Sequence, residues 1–293
     1  MIRLSILFVL VACFGVSRQP SKGSDTPYNM AKPSAVLHLP MALREVSALT
    51  DVDSVTVACV EDEQATVHFL SLHSGAIVSS FPFHGQADME GLTRVGGTFY
   101  ALRSDGLLYH LGGVDTGLSI LDTVHLQLAN SNIEGLGYDE KQHRILVSPK
   151  DVLNDGSTTK DERVVYGVDP EKLNAAPLVA LHLSMRVLSA AAEKKGIALP
   201  MKRKKNGELV SGFKLRYSSV AMHPFRDHYY LLSAVDRTLL VVDRMGELVD
   251  LVLLDPALLP KPEGITFMAN GDMLLSSEGK GSAPVLVRYA YRP

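Results

Sequence analysis

The sequence predicts an all-β chain folded as a five-bladed β-propeller, with a helical insertion between blades three and four. Three observations carry this: a unit recurring every forty-odd residues, four strand-like runs in that unit, and a last unit one strand short. The unit opens at Glu45-Val-Ser-Ala-Leu-Thr, Glu90-Gly-Leu-Thr, Glu134-Gly-Leu-Gly-Tyr and Glu263-Gly-Ile-Thr-Phe, and Ser219-Val-Ala-Met-His-Pro fits the same frame. The steps are 45, 44, 85 and 44 residues, and a period in the mid-forties is that of a four-stranded propeller blade.

In the second unit, Leu92-Thr93 is followed by aliphatic-rich runs at 98–102, 107–111 and 118–128, separated by turns such as Arg103-Ser-Asp-Gly106. Apolar runs of this length between Gly/Asp turns read as strands. The fourth unit repeats the pattern at 220–222, 229–234, 238–243 and 248–254. The fifth has three runs, beginning at Ile265, Asp272 and Pro284, while Ala35-Val-Leu-His-Leu39 precedes the first unit without a partner. Pairing that segment onto the last blade closes the ring and protects its edge. The 85-residue step leaves room for an insertion at about 184–213. Ser184 to Lys195 reads as a helix with a Ser start, an Ala-rich body and a Gly196 stop, and the basic stretch from Pro200 to Gly212 reads as a loop.

The chain has 293 residues, a formal net charge of −3 and no Trp. One propeller fills that length. The missing Trp disfavours the Trp-Asp type of blade, and the charge disfavours a nucleic-acid partner. The run Lys202-Arg-Lys-Lys205 is a local exception and reads as a solvated loop tip. At the N-terminus, Arg3 precedes an apolar run ending Leu10-Val-Ala-Cys13. The run is too short for a membrane-spanning helix and has the layout of a secretory signal. It resembles a bacterial lipobox, in which the cysteine becomes the lipidated first residue. Residues 1–12 are then a lipoprotein-type signal peptide, 13–33 a tether and 34–293 the propeller, anchored in the bacterial envelope through Cys13. Cys59, in an apolar run, reads as a small buried residue.

In a propeller the loop entering each innermost strand shares a rim with the loop joining the second and third strands. Glu45, Glu90, Glu134 and Glu263 should therefore line one channel mouth, with Asp236 and Glu278 on the adjoining loops. Two readings stay open. The carboxylates lock blade to blade through backbone amides and Arg103, Lys150 or Arg237, or they gather about the axis, where mutual repulsion calls for a cation. Calcium suits several carboxylates with carbonyls nearby. No zinc spacing, nucleophile elbow, phosphate-binding Gly-rich loop or EF-hand loop is present, so no catalytic residue is assigned.

Glu45-Val-Ser-Ala-Leu, Asn132-Ile-Glu-Gly-Leu-Gly-Tyr-Asp139, Ser218-Ser-Val-Ala-Met-His-Pro224, Leu232-Ser-Ala-Val-Asp-Arg237, Pro262-Glu-Gly-Ile-Thr-Phe267 and Ser276-Ser-Glu-Gly279 together resemble the YjiK family, or SdiA-regulated proteins. The resemblance spans most of 35–291. It implies an envelope propeller with calcium at the glutamate mouth, a binding rather than catalytic role, and a small-molecule or protein ligand. Ala48 stands where the family has Gly, and the Lys-rich insertion has no match. A similar Glu-Gly-Leu pattern in phytase-like propellers keeps phosphoester hydrolysis with a calcium Lewis acid as an alternative. A metal-free interaction scaffold is another.

Overall fold

The computed structural model describes residues 25–113, 117–130, 132–150 and 161–293. Five four-stranded antiparallel sheets form the blades. Their innermost strands are Val46–Asp51, Met89–Val95, Ile133–Asp139, Ser219–Met222 and Lys261–Phe267, and each is followed outward by its blade in sequence order. The fifth blade is completed by Ala35–His38, which pairs antiparallel with Val285–Tyr289 from Ala35 opposite Arg288 to His38 opposite Val285. Ring closure by the N-terminal strand is thus as the sequence predicts.

The inner strands are short and aliphatic because both faces pack against neighbouring blades. Five apolar clusters fill the five joints. Leu92 and Phe99 lie between blades one and two, Leu136 and Tyr100 between two and three, and Val220 and Leu146 between three and four. Ile265 and Tyr230 join blades four and five, and Leu49 and Leu274 join five and one. Cys59 is buried as a free thiol in that last joint, and burial pushes it well above the ordinary thiol range.

The insertion begins with helix α1, Met185–Lys195. Ser184 Oγ accepts the Val187 amide and Gly196 ends the helix in a left-handed conformation, φ 68°, as the sequence predicts. Met185, Leu188 and Ala192 bury against blades three and four. The stretch after it departs from the expected loop: Met201–Arg203 and Leu209–Ser211 pair as a two-stranded hairpin. Alternation of Met201, Arg203 and Leu209 with Lys202 and Val210, about a turn at Asn206-Gly207, gives it that register.

The signal segment 1–12, Cys13 and the first part of the tether lie outside the described residues. The tether boundary itself moves, because Thr26 and Tyr28 are buried. Tyr28 Oη donates to the Gly271 carbonyl at 2.6 Å, meets His223 Nε2 at 2.9 Å, and its ring joins the core of blades four and five. The packed body therefore starts no later than Thr26, not at 34.

What sets the register of the inner strands is how closely they approach one another. A Cβ on Gly135 would stand 2.0 Å from Ser148 Oγ and 3.1 Å from the Ser219 backbone, and one on Gly264 would stand 2.3 Å from Leu49 Cδ2. Gly91 is held in the same way against Leu136, at 2.6 Å. Gly135→Ala should therefore destabilise the fold by roughly 1–3 kcal/mol through overpacking. Denaturant unfolding measures this, and Gly97→Ala, whose Cβ meets nothing within 4 Å, is the control.

Candidate functional site: the acidic channel mouth

The strand register decides which side chains share the mouth. Met89 faces Arg103 and Gly91 faces Leu102, so Glu90 is the extra residue of a β-bulge. Glu134 and Glu263 are extra in the same way. A bulge bends the strand and re-aims the extra side chain, here at the point where each strand enters the ring. In blade one the extra residue is Ser47, not Glu45. In blade four Ser219 pairs with Leu232, which puts Ser219 in the glycine column and Ser218 in the glutamate column. The ring is therefore Ser47, Glu90, Glu134, Ser218 and Glu263. Placing Glu45 and Ser219 in that column by sequence is off by two residues and one residue, because bulges are invisible to residue counting.

The two serines are buried and locally satisfied. Ser47 Oγ donates to the Glu45 carbonyl at 3.1 Å, and Ser218 Oγ to the Pro262 carbonyl at 2.9 Å. Glu134 and Glu263 are 2% and 7% exposed, which leaves two carboxylates almost wholly out of water. Glu134 is paired with Lys150 Nζ, and Glu263 with Lys261 Nζ at 2.9 Å. Lys261 also pairs with Glu278, so Glu278 lies on this rim as expected. Asp236 does not serve the axis: its Oδ2 accepts the Lys214 and Leu215 amides at 2.8 and 2.9 Å and pins the end of the insertion to blade four. Arg103 turns to Asp105 at 2.9 Å rather than to a glutamate.

Glu90 is half-buried and no ion pair holds it among the described residues. Burial, then the Glu134 and Asp88 charges, push its carboxyl up to about 8 against the opposing pull of Lys150. Glu263 is pushed up to about 7, chiefly by burial and then, beyond the relief from Lys261, by Glu134 and Glu278. Lys150 feels Glu134, Glu263 and Glu90 together and is held above its ordinary range despite its burial. Three of the four expected glutamates thus converge electrostatically on the axis. Glu45 stands apart, 3.4 Å from Arg44, and acts on Asp62, whose carboxyl is raised to about 6 by burial and then by Glu45 and Glu278.

The far end of the ring is different. A cavity of about 320 Å³ is lined there by Thr50, Thr93, Thr266, Asp51, Arg94 and Arg244 among others. Two of its acids face guanidiniums: Asp51 meets Arg94 at 3.6 Å, and the buried Asp139 meets Arg244 at 2.7 Å. Sequence reading missed it because Asp139 and Arg244 meet only through the fold, 105 residues apart. The acidic mouth is the end where charge is left unbalanced.

As donors, the mouth residues are hard oxygens, the chemistry calcium prefers. As they stand, no three His, Cys, Asp or Glu side chains among the described residues are gathered closely enough to hold a metal ion, and lysine ammoniums pair with Glu134 and Glu263. No protein-family model and no curated protein matches the chain. Among solved structures it is similar to Myxococcus xanthus glutaminyl cyclase, at 14% identity and a TM-score of 0.58, over 89% of this chain and 96% of that one. It is also similar to the PQQ-bound form of an aldose sugar dehydrogenase from Streptomyces coelicolor, at 10% identity and a TM-score of 0.51, over 88% and 97%. Likeness at that identity shows the fold alone. The class it defines is the β-propeller, here five-bladed.

The raised acids give a signed pH dependence. A carboxyl whose folded pKa lies above its unfolded value opposes folding once ionised, so stability falls as pH rises from about 4.5 through about 8. With chelator present, Glu90→Gln should flatten that fall and raise stability at pH 8 by roughly 1–2 kcal/mol. Unfolding curves at pH 5, 6.5 and 8, as working values on the order of the carboxyl range, check it. A parallel fall in the variant would return Glu90 to an unremarkable surface acid.

Proposed function

We propose that this chain is a YjiK-like envelope propeller that binds rather than transforms its ligand, and that the ligand at the acidic mouth is a cation, calcium. The observation that carries the reading is the trio of buried Glu134 and Glu263 with half-buried Glu90, each the extra residue of an equivalent bulge, the trio being served directly by two lysines. Such an arrangement holds more negative charge than its own cations neutralise. Glu90, Glu134 and Glu263 would hold the ion, and calcium would supply a charge that relieves their repulsion. Lys150 is the occupant it displaces from Glu134. Residues 1–12 remain in this reading a lipoprotein signal, with Cys13 the anchor to the membrane.

Of the two cations a phosphoester could use there, Arg103 is bound to Asp105 and Lys150 to Glu134. That favours binding over hydrolysis. Whatever cation enters binds the folded chain and stabilises it by mass action. Calcium should raise the melting temperature, Glu134→Gln should blunt the rise, and Lys150→Met should enlarge it by freeing Glu134. Thermal melts with calcium and with chelator test all three. An unchanged melt in the wild-type and Lys150→Met proteins alike would reduce the trio to a device for joining blades.

A further inference from the structure

Among the described residues, the hairpin Met201–Arg203/Leu209–Ser211 is a two-stranded sheet with no third strand on either side. The Lys204 amide bonds Glu208 and the Gly212 amide bonds Pro200. In an antiparallel pair, hydrogen-bonded and non-bonded positions alternate. The backbone groups of Met201 and Arg203 on one edge, and of Leu209 and Ser211 on the other, therefore face outward. Isolated hairpins are marginal in water and open edges accept further strands. Among the described residues no other strand pairs with this one, and none of its outward positions is a proline.

Its exposed face is also unusual. Met201 and Leu209 are 60% and 53% exposed and flank Arg203, while Lys202 and Val210 turn toward the body. From Pro200 to Tyr217 the chain carries Lys202, Arg203, Lys204, Lys205, Lys214 and Arg216 against Glu208 as the one acid. Glu208 is spent on Lys204 at 3.0 Å, and Asp236 below is spent on backbone amides. The burial of Lys202, with the Lys214 and Arg163 cations beside it, weakens its hold on its proton. A surface this basic, with open strand edges and two exposed apolar side chains, has the complement of an acidic strand.

The rim it occupies decides between a polypeptide and a membrane. The insertion leaves the end of strand Leu178–Ser184 and re-enters the blade at Ser219–Met222, its last residues held by Asp236 on the acidic-mouth side. The N-terminal segment is bound at the opposite end, through Tyr28 on Gly271 and His223. A lipid surface next to the acidic mouth would be repelled by it, whereas a narrow polypeptide strand meets the hairpin alone.

We propose that the hairpin Met201–Ser211 is a docking site for an acidic extended segment of a partner protein, which adds to the hairpin as a third strand. Backbone bonds supply affinity, while alternate side chains on Met201, Arg203 and Leu209 supply selectivity. The test uses the full-length protein and a fluorescent peptide alternating glutamate and valine, read by anisotropy. The peptide should bind, its lysine–valine counterpart should not, and methylating alternate backbone nitrogens should weaken it about tenfold or more. Lys205→Glu, at an exposed tip position with no pairing among the described residues, should weaken it likewise without altering the melt. Equal binding of the N-methylated peptide would overturn strand addition. Self-association, or co-flotation with phosphatidylserine vesicles, either one abolished by Lys205→Glu and seen without peptide binding, would assign the surface to another occupant and overturn the proposal. The calcium response of the mouth is a separate readout and does not enter this outcome.

Discussion

Five inner strands must approach one axis, and the distance at which they meet governs the rest of the molecule. Gly91, Gly135 and Gly264 have no room for a side chain, and Ala48 and Ser219 fill the same column with the smallest alternatives. Because that column is empty of bulk, the aliphatic column beside it, Leu49, Leu92, Leu136, Val220 and Ile265, can bury in the joints between blades. Removing these side chains from water is worth about 1.5–3 kcal/mol each. In four of the blades a bulge just before the glycine column then re-aims one side chain. Packing and electrostatics are therefore set by the same three consecutive positions.

Those positions explain why the mouth is acidic but unevenly so. Two blades place serine in the bulge column, where the hydroxyl is satisfied by a local carbonyl. Three place glutamate, and only Lys150 and Lys261 answer them directly. Glu90 and Glu134 come from neighbouring blades, so burial and repulsion act together on Glu90. The far cavity shows the contrast: there Asp51 and Asp139 each face a guanidinium.

Much of the architecture was legible because it rests on local chemistry. Turn residues mark the strands, Ser184 and Gly196 bracket the helix, and a blade lacking its fourth strand points to Ala35–His38. What escaped was register. Glu45 looks like its relatives Glu90, Glu134 and Glu263, yet the two-against-one pairing of a bulge puts Ser47 in their place. Aligning on the aliphatic column rather than on the acids would have found Ser47 and Ser218. The hairpin escaped because its strands are three residues long, below the length at which alternation stands out. The far-end Asp139–Arg244 contact depends on tertiary approach and leaves no local trace.

The pairing of Ala35–His38 with Val285–Tyr289 also fixes an order of events. The first strand among the described residues completes its sheet with the last of them, so the blade-five edge is sealed only after Val285–Tyr289 has been made. Blades one to four can form as local units, but the ring stays open until Val285–Tyr289 meets Ala35–His38, and such long-range pairing is slow. A ring clasped in this way cannot lose either clasp segment without leaving a blade edge open to foreign strands.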